Sequence, residues 1–380
     1  MLLSLKVQGT INSLKRIYQH KSKLLISVTA LSLLLSACKK DKEVTATVAP
    51  TPLATIGLYK YQSSSSTAKR IFVDINKIGT VTLNYAATFD TGSPGLVFDA
   101  TGVLPASMIT SSGIQITGDS VSVNGITVTS RTAVVKYGVS PNIVSQYGNL
   151  AYATVTLSDD NNNTVTTKRI AFFLYYKIVD SDGTTEPAHS GDVFGVSTGS
   201  NAFTEVVSPL DGFKLPTNVT SGFKLSAISN SNFSPSLYFQ SNLLTIGLVP
   251  NDLSSAGGFT MHPLTYVSGY GYLPNIPATI TYGGKSISTE VVFDTGNPST
   301  AIIEDRTASA LGQLPANTSV TVTTTKGFSY TYTTSSTANL TEVLNPNVTG
   351  DYRSVLAIDF FFTNLYLTDY ANHQIGLKKQ

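Results

Sequence analysis

From Ile56 onward the chain alternates apolar and polar positions in short runs, separated by clusters of Gly, Asn, Asp and Ser. That period of two, punctuated by turn formers, predicts antiparallel β structure. Ile71 to Ile75 and Thr80 to Tyr85 flank Asn76-Lys77-Ile78-Gly79, a hairpin. Ser120 to Val123 and Ile126 to Val128 flank Asn124-Gly125, the dipeptide suited to a type I′ turn. Thr132 to Tyr137 is a further strand that runs into a turn-rich tip, Gly138 to Asn142, and the chain returns through Tyr147 to Val155. Thr154 to Leu157 and Thr164 to Leu174 read as two strands joined by Asp159 to Asn163. Ser236 to Phe239 and Leu244 to Gly247 read as a strand pair. Beyond Pro250 the pattern continues with Phe259 to Leu264, with Thr279 to Tyr282 and Lys285 to Ser288 around Gly283-Gly284, and with Ser319 to Thr325 and Phe328 to Tyr332 around Lys326-Gly327. No long stretch holds a helical period.

Two of the apolar runs end in the same words. Phe89-Asp90-Thr91-Gly92-Ser93-Pro94 recurs as Phe293-Asp294-Thr295-Gly296-Asn297-Pro298, 204 residues later and with one change. Each copy is followed by another apolar run, Leu96 to Phe98 and Ala301 to Ile303. A strand that ends in a buried carboxylate is costly unless that carboxylate is used. Two such ends predict two halves that bring Asp90 and Asp294 together.

These repeats, and the segments that follow them in order, resemble the pepsin-type aspartic peptidases. The resemblance covers roughly residues 56–378. It implies an all-β, bilobal pepsin-like acid-protease fold: two homologous β-barrel-like lobes with the active-site cleft between them. The lobes would be residues 56–249 and 250–380. Asp90 and Asp294 would be the catalytic pair, with Thr91, Gly92, Ser93, Thr295, Gly296 and Asn297 forming their loops. An apolar-apolar-Gly segment threaded beside each loop would be Val193-Phe194-Gly195 and Val355-Leu356-Ala357. Tyr137-Gly138 matches the family's substrate-covering flap, with Tyr147-Gly148 the second candidate. Asp369-Tyr370-Ala371-Asn372 and Ile375-Gly376-Leu377 match its closing strand. Three departures stand out. Asn297 replaces a hydroxyl, and Ala357 replaces a glycine, which predicts crowding beside Asp294. The chain has no Trp to support the flap tyrosine, which leaves Phe98 for that role.

Composition narrows the setting. Charged residues make up 13% of the 380, about half the usual share, and hydrophobic residues 41%. The net charge of +2 comes from residues 1–37, which hold five Lys or Arg and no acid. The remainder carries 20 basic and 23 acidic residues, a balance that points away from nucleic acid. Lys15, Arg16, Lys21 and Lys23 precede the apolar run Leu24 to Leu35, then Ser36-Ala37-Cys38. That is a signal peptide over residues 1–37, and its end resembles a bacterial lipobox, which implies a lipid on Cys38. Residues 38–55 read as a tether. Cys38 is the sole cysteine, so no thiol is left for a disulfide, a metal or a nucleophile.

The expected function is hydrolysis of peptide bonds by a water activated between two aspartates. The protein would be a monomer on a bacterial outer membrane, facing the periplasm or the cell surface, with a peptide or protein substrate, a lipid anchor, and neither cofactor nor metal. The competing reading is a pepsin-fold lipoprotein that holds a peptide or glycan without cutting it. Gly195-Val196-Ser197-Thr198-Gly199 also fits a serine-hydrolase elbow, but no helix-like stretch follows it.

Overall fold

The repeated motif and its threaded segment build the same three-stranded unit twice. In the computed structural model, which describes residues 49–64, 67–138 and 142–380, strand Val81–Asp90 runs to the first Asp-Thr-Gly and Pro94–Asp99 leaves it. Val193–Val196 lies between them, parallel to the first and antiparallel to the second. In the second half Lys285–Phe293 and Thr300–Glu304 flank Arg353–Leu356 with the same two directions. Phe89, Leu96, Phe98 and Phe194 are fully buried in one unit, and Val291, Phe293, Ile303 and Leu356 nearly so in the other. The alternating pattern therefore becomes near-continuous apolar runs here, because both faces of these strands are covered.

Among the described residues the strands form a sixteen-stranded sheet, an eight-stranded sheet and two small two-stranded ones, so the fold is all-β and bilobal. The eight-stranded sheet holds the second unit, with Ile276–Tyr282, Ser319–Thr324 and Ser329–Thr333 on one side and Leu340–Leu344 on the other. The sheets do not divide at one point along the chain. Thr260–Pro263, Asn364–Asp369 and Gln374–Lys379 follow Pro250 in sequence yet join the larger sheet beside Thr220–Leu225.

The turn chemistry works as the residue types require. Asn124 and Gly125 both take positive φ, 55° and 72°, as a type I′ turn demands. Gly283 and Gly284 do the same at 53° and 80°. Three strand expectations are corrected. Thr164 to Leu174 is two strands, Thr164–Thr166 and Ile170–Val179. The chain changes partners between them: the Thr167 hydroxyl accepts from the Val155 N–H, and the Lys168 N–H turns to the Gly212 carbonyl. Ser236 to Phe239 and Leu244 to Gly247 are not a pair: Tyr238, Phe239 and the second run fall in one strand, Tyr238–Leu248, bent where Asn242 takes φ 58°, and Ser236 and Leu237 precede it. Ile126 to Val128 and Thr132 to Tyr137 likewise belong to one strand, Ile126–Tyr137, with an irregularity between Val128 and Thr132. The signal peptide, Cys38 and most of the tether lie outside the described residues, as do Val139, Ser140 and Pro141 of the Gly138 to Asn142 tip.

A polar cluster fixes the threaded strand of the first unit. Asp192, immediately before Val193, accepts from the Asp99 N–H at 2.9 Å and the Tyr175 hydroxyl at 2.9 Å. His189 Nδ1 lies 2.6 Å from the other Asp192 oxygen, and its Nε2 lies 3.0 Å from the Thr101 carbonyl. Both ring nitrogens face acceptors, so the imidazolium is the form that satisfies them. The ring stacks on Tyr85 at 3.8 Å, and its backbone N–H donates to Asp99. Burial alone lowers the His189 pKa, but Asp192, Asp99 and the Thr101 carbonyl outweigh it and hold the pKa above the ordinary value. A histidine whose folded pKa is raised stabilises fully below its unfolded pKa, about 6.5, and loses that contribution as pH rises through the folded value. Melting the unaltered chain and His189→Gln between pH 5 and 9 should therefore show the largest difference in Tm at the acid end, shrinking toward pH 9. A difference constant across that range would remove the charged pairing.

Candidate active site

The two Asp-Thr-Gly turns meet between the lobes and hold each other by four hydrogen bonds. The Thr91 N–H donates to Thr295 Oγ1 at 3.1 Å, and the Thr295 N–H donates to Thr91 Oγ1 at 3.0 Å. Each hydroxyl then donates across, Thr91 to the Phe293 carbonyl at 2.8 Å and Thr295 to the Phe89 carbonyl at 2.7 Å. Both threonines are fully buried, so every polar group at this junction needs its partner. The glycines let the loops close. A Cβ on Gly296 would fall 2.6 Å from Asp90 Cγ, and one on Gly92 would overlap the Asp294 carboxyl. Each glycine is thus the wall against which the other loop's carboxylate rests.

The carboxyls of Asp90 and Asp294 lie close enough to bear on each other, each against the other loop's glycine, and their surroundings differ. Asp90 Oδ1 accepts from the N–H groups of Gly92 at 2.7 Å and Ser93 at 3.0 Å, and Oδ2 accepts from Ser93 Oγ at 2.6 Å. Asp294 Oδ1 accepts from the Gly296 N–H at 2.7 Å. The Asn297 side chain, standing where Ser93 stands in the first loop, turns away and donates to the Thr300 carbonyl at 2.8 Å. Burial, the Asp90 charge and the hydrogen bond that the protonated Asp294 carboxyl gives to Asp90 hold Asp294 well above the usual range, and the N–H groups of Gly296 and Asn297 offset part of this. With its raised pKa and no side-chain donor beside it, Asp294 is the member of the pair that keeps a proton more readily than an ordinary carboxyl.

Ala357 does not crowd the second loop. In the first unit a Cβ on Gly195 would fall 2.5 Å from the Ser93 carbonyl, because the ladder continues through Gly195 opposite Gly95 and Val196 opposite Pro94. In the second unit the corresponding ladder is the single pair Ile302 and Val355, so it has opened before Ala357. The methyl sits on ordinary extended backbone, φ −76° and ψ 179°. Behind it the Asp294 N–H donates to Leu356, and the Ile358 N–H donates to Asn297.

Tyr137 ends the strand that reaches over the first loop, paired with Val144 of Val144–Ala153. Its hydroxyl is buried facing Ser93 and Asn201 without a well-formed hydrogen bond to either. Burial first, and the Asp90 charge second, keep this phenol protonated. Gly138 follows at φ 93° and turns the chain. Tyr147 stays within the returning strand opposite Val134, while Gly148 is there because a side chain would strike the Leu174 carbonyl. Phe98 does not support Tyr137. It packs in the core against Tyr85 and His189, whereas Tyr137 packs against a separate cluster that holds Val97 and Phe173.

Two features had no sequence signal. Arg70 Nη1 donates to the Gly296 carbonyl at 3.3 Å, one residue beyond the reading that began its strand at Ile71. A cavity of about 330 Å³ opens beyond the threaded strand, lined by Ser197, Thr198, Tyr266, Tyr272, Tyr370 and His373 among others. It excludes the dyad itself but begins at Ser197, whose N–H donates to the Ser93 carbonyl.

The threonine junction is the part of the site most open to a direct stability test. Thr91→Val removes a hydroxyl that accepts from one buried N–H and serves one carbonyl, a loss of about 2–4 kcal/mol by chemical denaturation. Thr295→Val should cost a similar amount. The double variant should depart from the sum by about 1 kcal/mol or more, and simple additivity would mean that the two do not act as a unit.

No family model matches the chain, and no curated protein matches it. Solved structures do match it. The aspartic proteinase from Irpex lacteus superposes with a TM-score of 0.53 at 17% identity, covering 86% of this chain and 97% of that one. Basic 7S globulin from soybean superposes with a TM-score of 0.50 at 11% identity, covering 87% and 96%. The chain has the pepsin-like aspartic-proteinase fold.

Proposed function

We propose that the protein is an aspartic endopeptidase, and that Asp90 and Asp294 are its catalytic pair. The observation that carries this reading is the packing of each carboxyl against the other loop's glycine, fixed by the reciprocal threonine bonds. Two carboxylates this close cannot both ionise cheaply, so they hold one proton between them. With the anion on Asp90, that carboxylate takes a proton from a water lodged between the pair, and the resulting hydroxide equivalent attacks the peptide carbonyl carbon. The protonated Asp294 donates to the carbonyl oxygen as it gains charge. Collapse of the tetrahedral intermediate breaks the C–N bond, and the proton taken up by Asp90 passes to the leaving amine. The substrate lies extended under the strand Ile126–Tyr137, with Tyr137 excluding water from the dyad. The aromatic cavity beyond Ser197 suits a substrate side chain distal to the cut.

The fold of the Irpex lacteus proteinase supports this reading. The rival, a pepsin-fold protein that holds a peptide or glycan without cutting it, gains nothing from the opened ladder at Ala357, which leaves the Asp294 loop undistorted. By the same proposal residues 1–37 export the chain, and a diacylated Cys38 anchors it to a bacterial outer membrane, by way of the tether, as a monomer without metal or cofactor.

Two experiments test these points. Unstructured protein substrates should be cleaved in acid to neutral buffer and protected by a pepstatin-like inhibitor. Asp90→Asn and Asp294→Asn should each lower kcat by about a thousandfold or more with folding retained. Cleavage that survives either substitution rules out the dyad mechanism, and an unaltered chain that binds peptides but cuts none favours the rival. For the anchor, cells fed an alkyne fatty acid should label the unaltered chain but not Cys38→Ser, and equal labelling would remove Cys38 as the lipidation site.

A further inference from the structure

The strand Lys69–Ile78 belongs to the first lobe, but its leading residues grip the second. The Lys69 N–H donates to the Pro298 carbonyl at 2.8 Å, and Arg70 Nη1 donates to the Gly296 carbonyl at 3.3 Å. Two successive residues therefore hold the back of the loop that carries Asp294. Gly296 is also the residue pressed against the Asp90 carboxyl. The guanidinium thus stands one residue from the dyad, partly buried, and its charge acts on both Asp90 and Asp294.

The other groups facing the dyad leave that charge unmatched. Tyr137 bears on Asp90 and Tyr366 on Asp294, and both phenols stay protonated because they are buried. Arg353, on the strand beside Phe293, also acts on Asp294, but it chelates Asp351 through Nε at 2.9 Å and Nη2 at 2.8 Å and lies near Glu290. The Lys69 amine lies 3.8 Å from Asp359. Arg70 has no carboxylate within ion-pair distance among the described residues. Burial lowers its own pKa, yet an arginine remains charged at any pH at which the chain folds.

We propose that Arg70 is the positioning residue that sets the pH range over which the dyad holds a single proton. A fixed cation favours the ionised form of a neighbouring carboxyl, so it lowers the pH of both dyad steps together. It also offsets part of the cost of burying the anion between the lobes. The consequence for catalysis rests on the peptidase reading above, whereas the titration itself does not.

The test separates charge from hydrogen bonding. Arg70→Gln keeps an N–H donor for the Gly296 carbonyl and loses the charge, and Arg70→Lys keeps the charge without the fork. The full chain, labelled with ¹³C at the Asp carboxyls, is titrated by NMR, with the dyad signals identified by their loss in Asp90→Asn and Asp294→Asn. Arg70→Gln should move both dyad steps to higher pH by about one unit, with Arg70→Lys staying within a few tenths. The two limbs of the pH profile of kcat/KM should move in parallel with them. Arg70→Met is the second uncharged variant should Arg70→Gln not fold. Dyad steps in Arg70→Gln that coincide with those of the unaltered chain overturn the proposal, as does an Arg70→Lys shift equal to that of Arg70→Gln. If the unaltered chain cuts no peptide, the peptidase reading fails while the NMR comparison still decides the role of Arg70.

Discussion

Everything at the centre of this molecule depends on keeping two carboxyl groups together that would otherwise repel. Burial raises the cost of either charge, and proximity raises it further. The chain meets this with a junction in which Thr91 and Thr295 exchange donors and acceptors and leave no polar group at the crossing unpaired. The junction also ties the lobes together, because its bonds join residues 202 to 206 positions apart in sequence. Loosening it would affect stability and geometry at once. The glycines beside it tolerate no methyl, because each faces the other loop's carboxyl.

Around this symmetric centre the two loops have been furnished differently. Asp90 is surrounded by donors from Gly92 and Ser93, and the spare hydroxyl of Ser93 reaches its outer oxygen. Asn297 spends its amide on holding the turn at Thr300. The same lobe replaces a threaded glycine by Ala357 and opens its ladder to fit the methyl. The two departures are linked through one contact, the Asn297 carbonyl accepting from the Ile358 N–H. The second loop is therefore braced by its own side chain and by the segment after Ala357. The first is braced by a continuous ladder. Both keep the carboxyl in place, and only the first supplies an extra donor to it.

How much of this was legible in the sequence follows from the range over which each feature is determined. Turns at Asn124-Gly125 and Gly283-Gly284 were legible because the residue types alone demand positive φ. The meeting of the two Asp-Thr-Gly loops was legible because Phe-Asp-Thr-Gly is repeated inside matched apolar frames. What failed was decided by partners far away. The break at Thr167 exists because Val155 and Gly212 offer better bonds than strand continuation, and no local window contains either. Tyr238–Leu248 reads as two strands because Asn242 looks like a turn, while in space one long partner surface holds it as a single bent strand. Phe98, aromatic and near the motif, was the natural support for Tyr137, but strand alternation turns it to the opposite face, into the core with His189. Arg70 lies just ahead of the apolar run that marked its strand, and nothing in its neighbours announces a carbonyl 226 residues away.

The asymmetry of donors and the position of Arg70 bear on one quantity from opposite directions. Withholding a hydroxyl from Asp294 makes its proton harder to remove, whereas an unmatched cation near both carboxyls makes every proton easier to remove. The first acts on one member of the pair and the second on both. By the proposal for Arg70, the asymmetry sets how far apart the two steps lie, and the cation keeps the pair as a whole from moving toward high pH. A chain with few charges overall has little long-range field to supply such tuning. It has to be done locally, by the Ser93 hydroxyl on Asp90, by the Gly296 and Asn297 N–H groups on Asp294, and by Arg70 from behind Gly296.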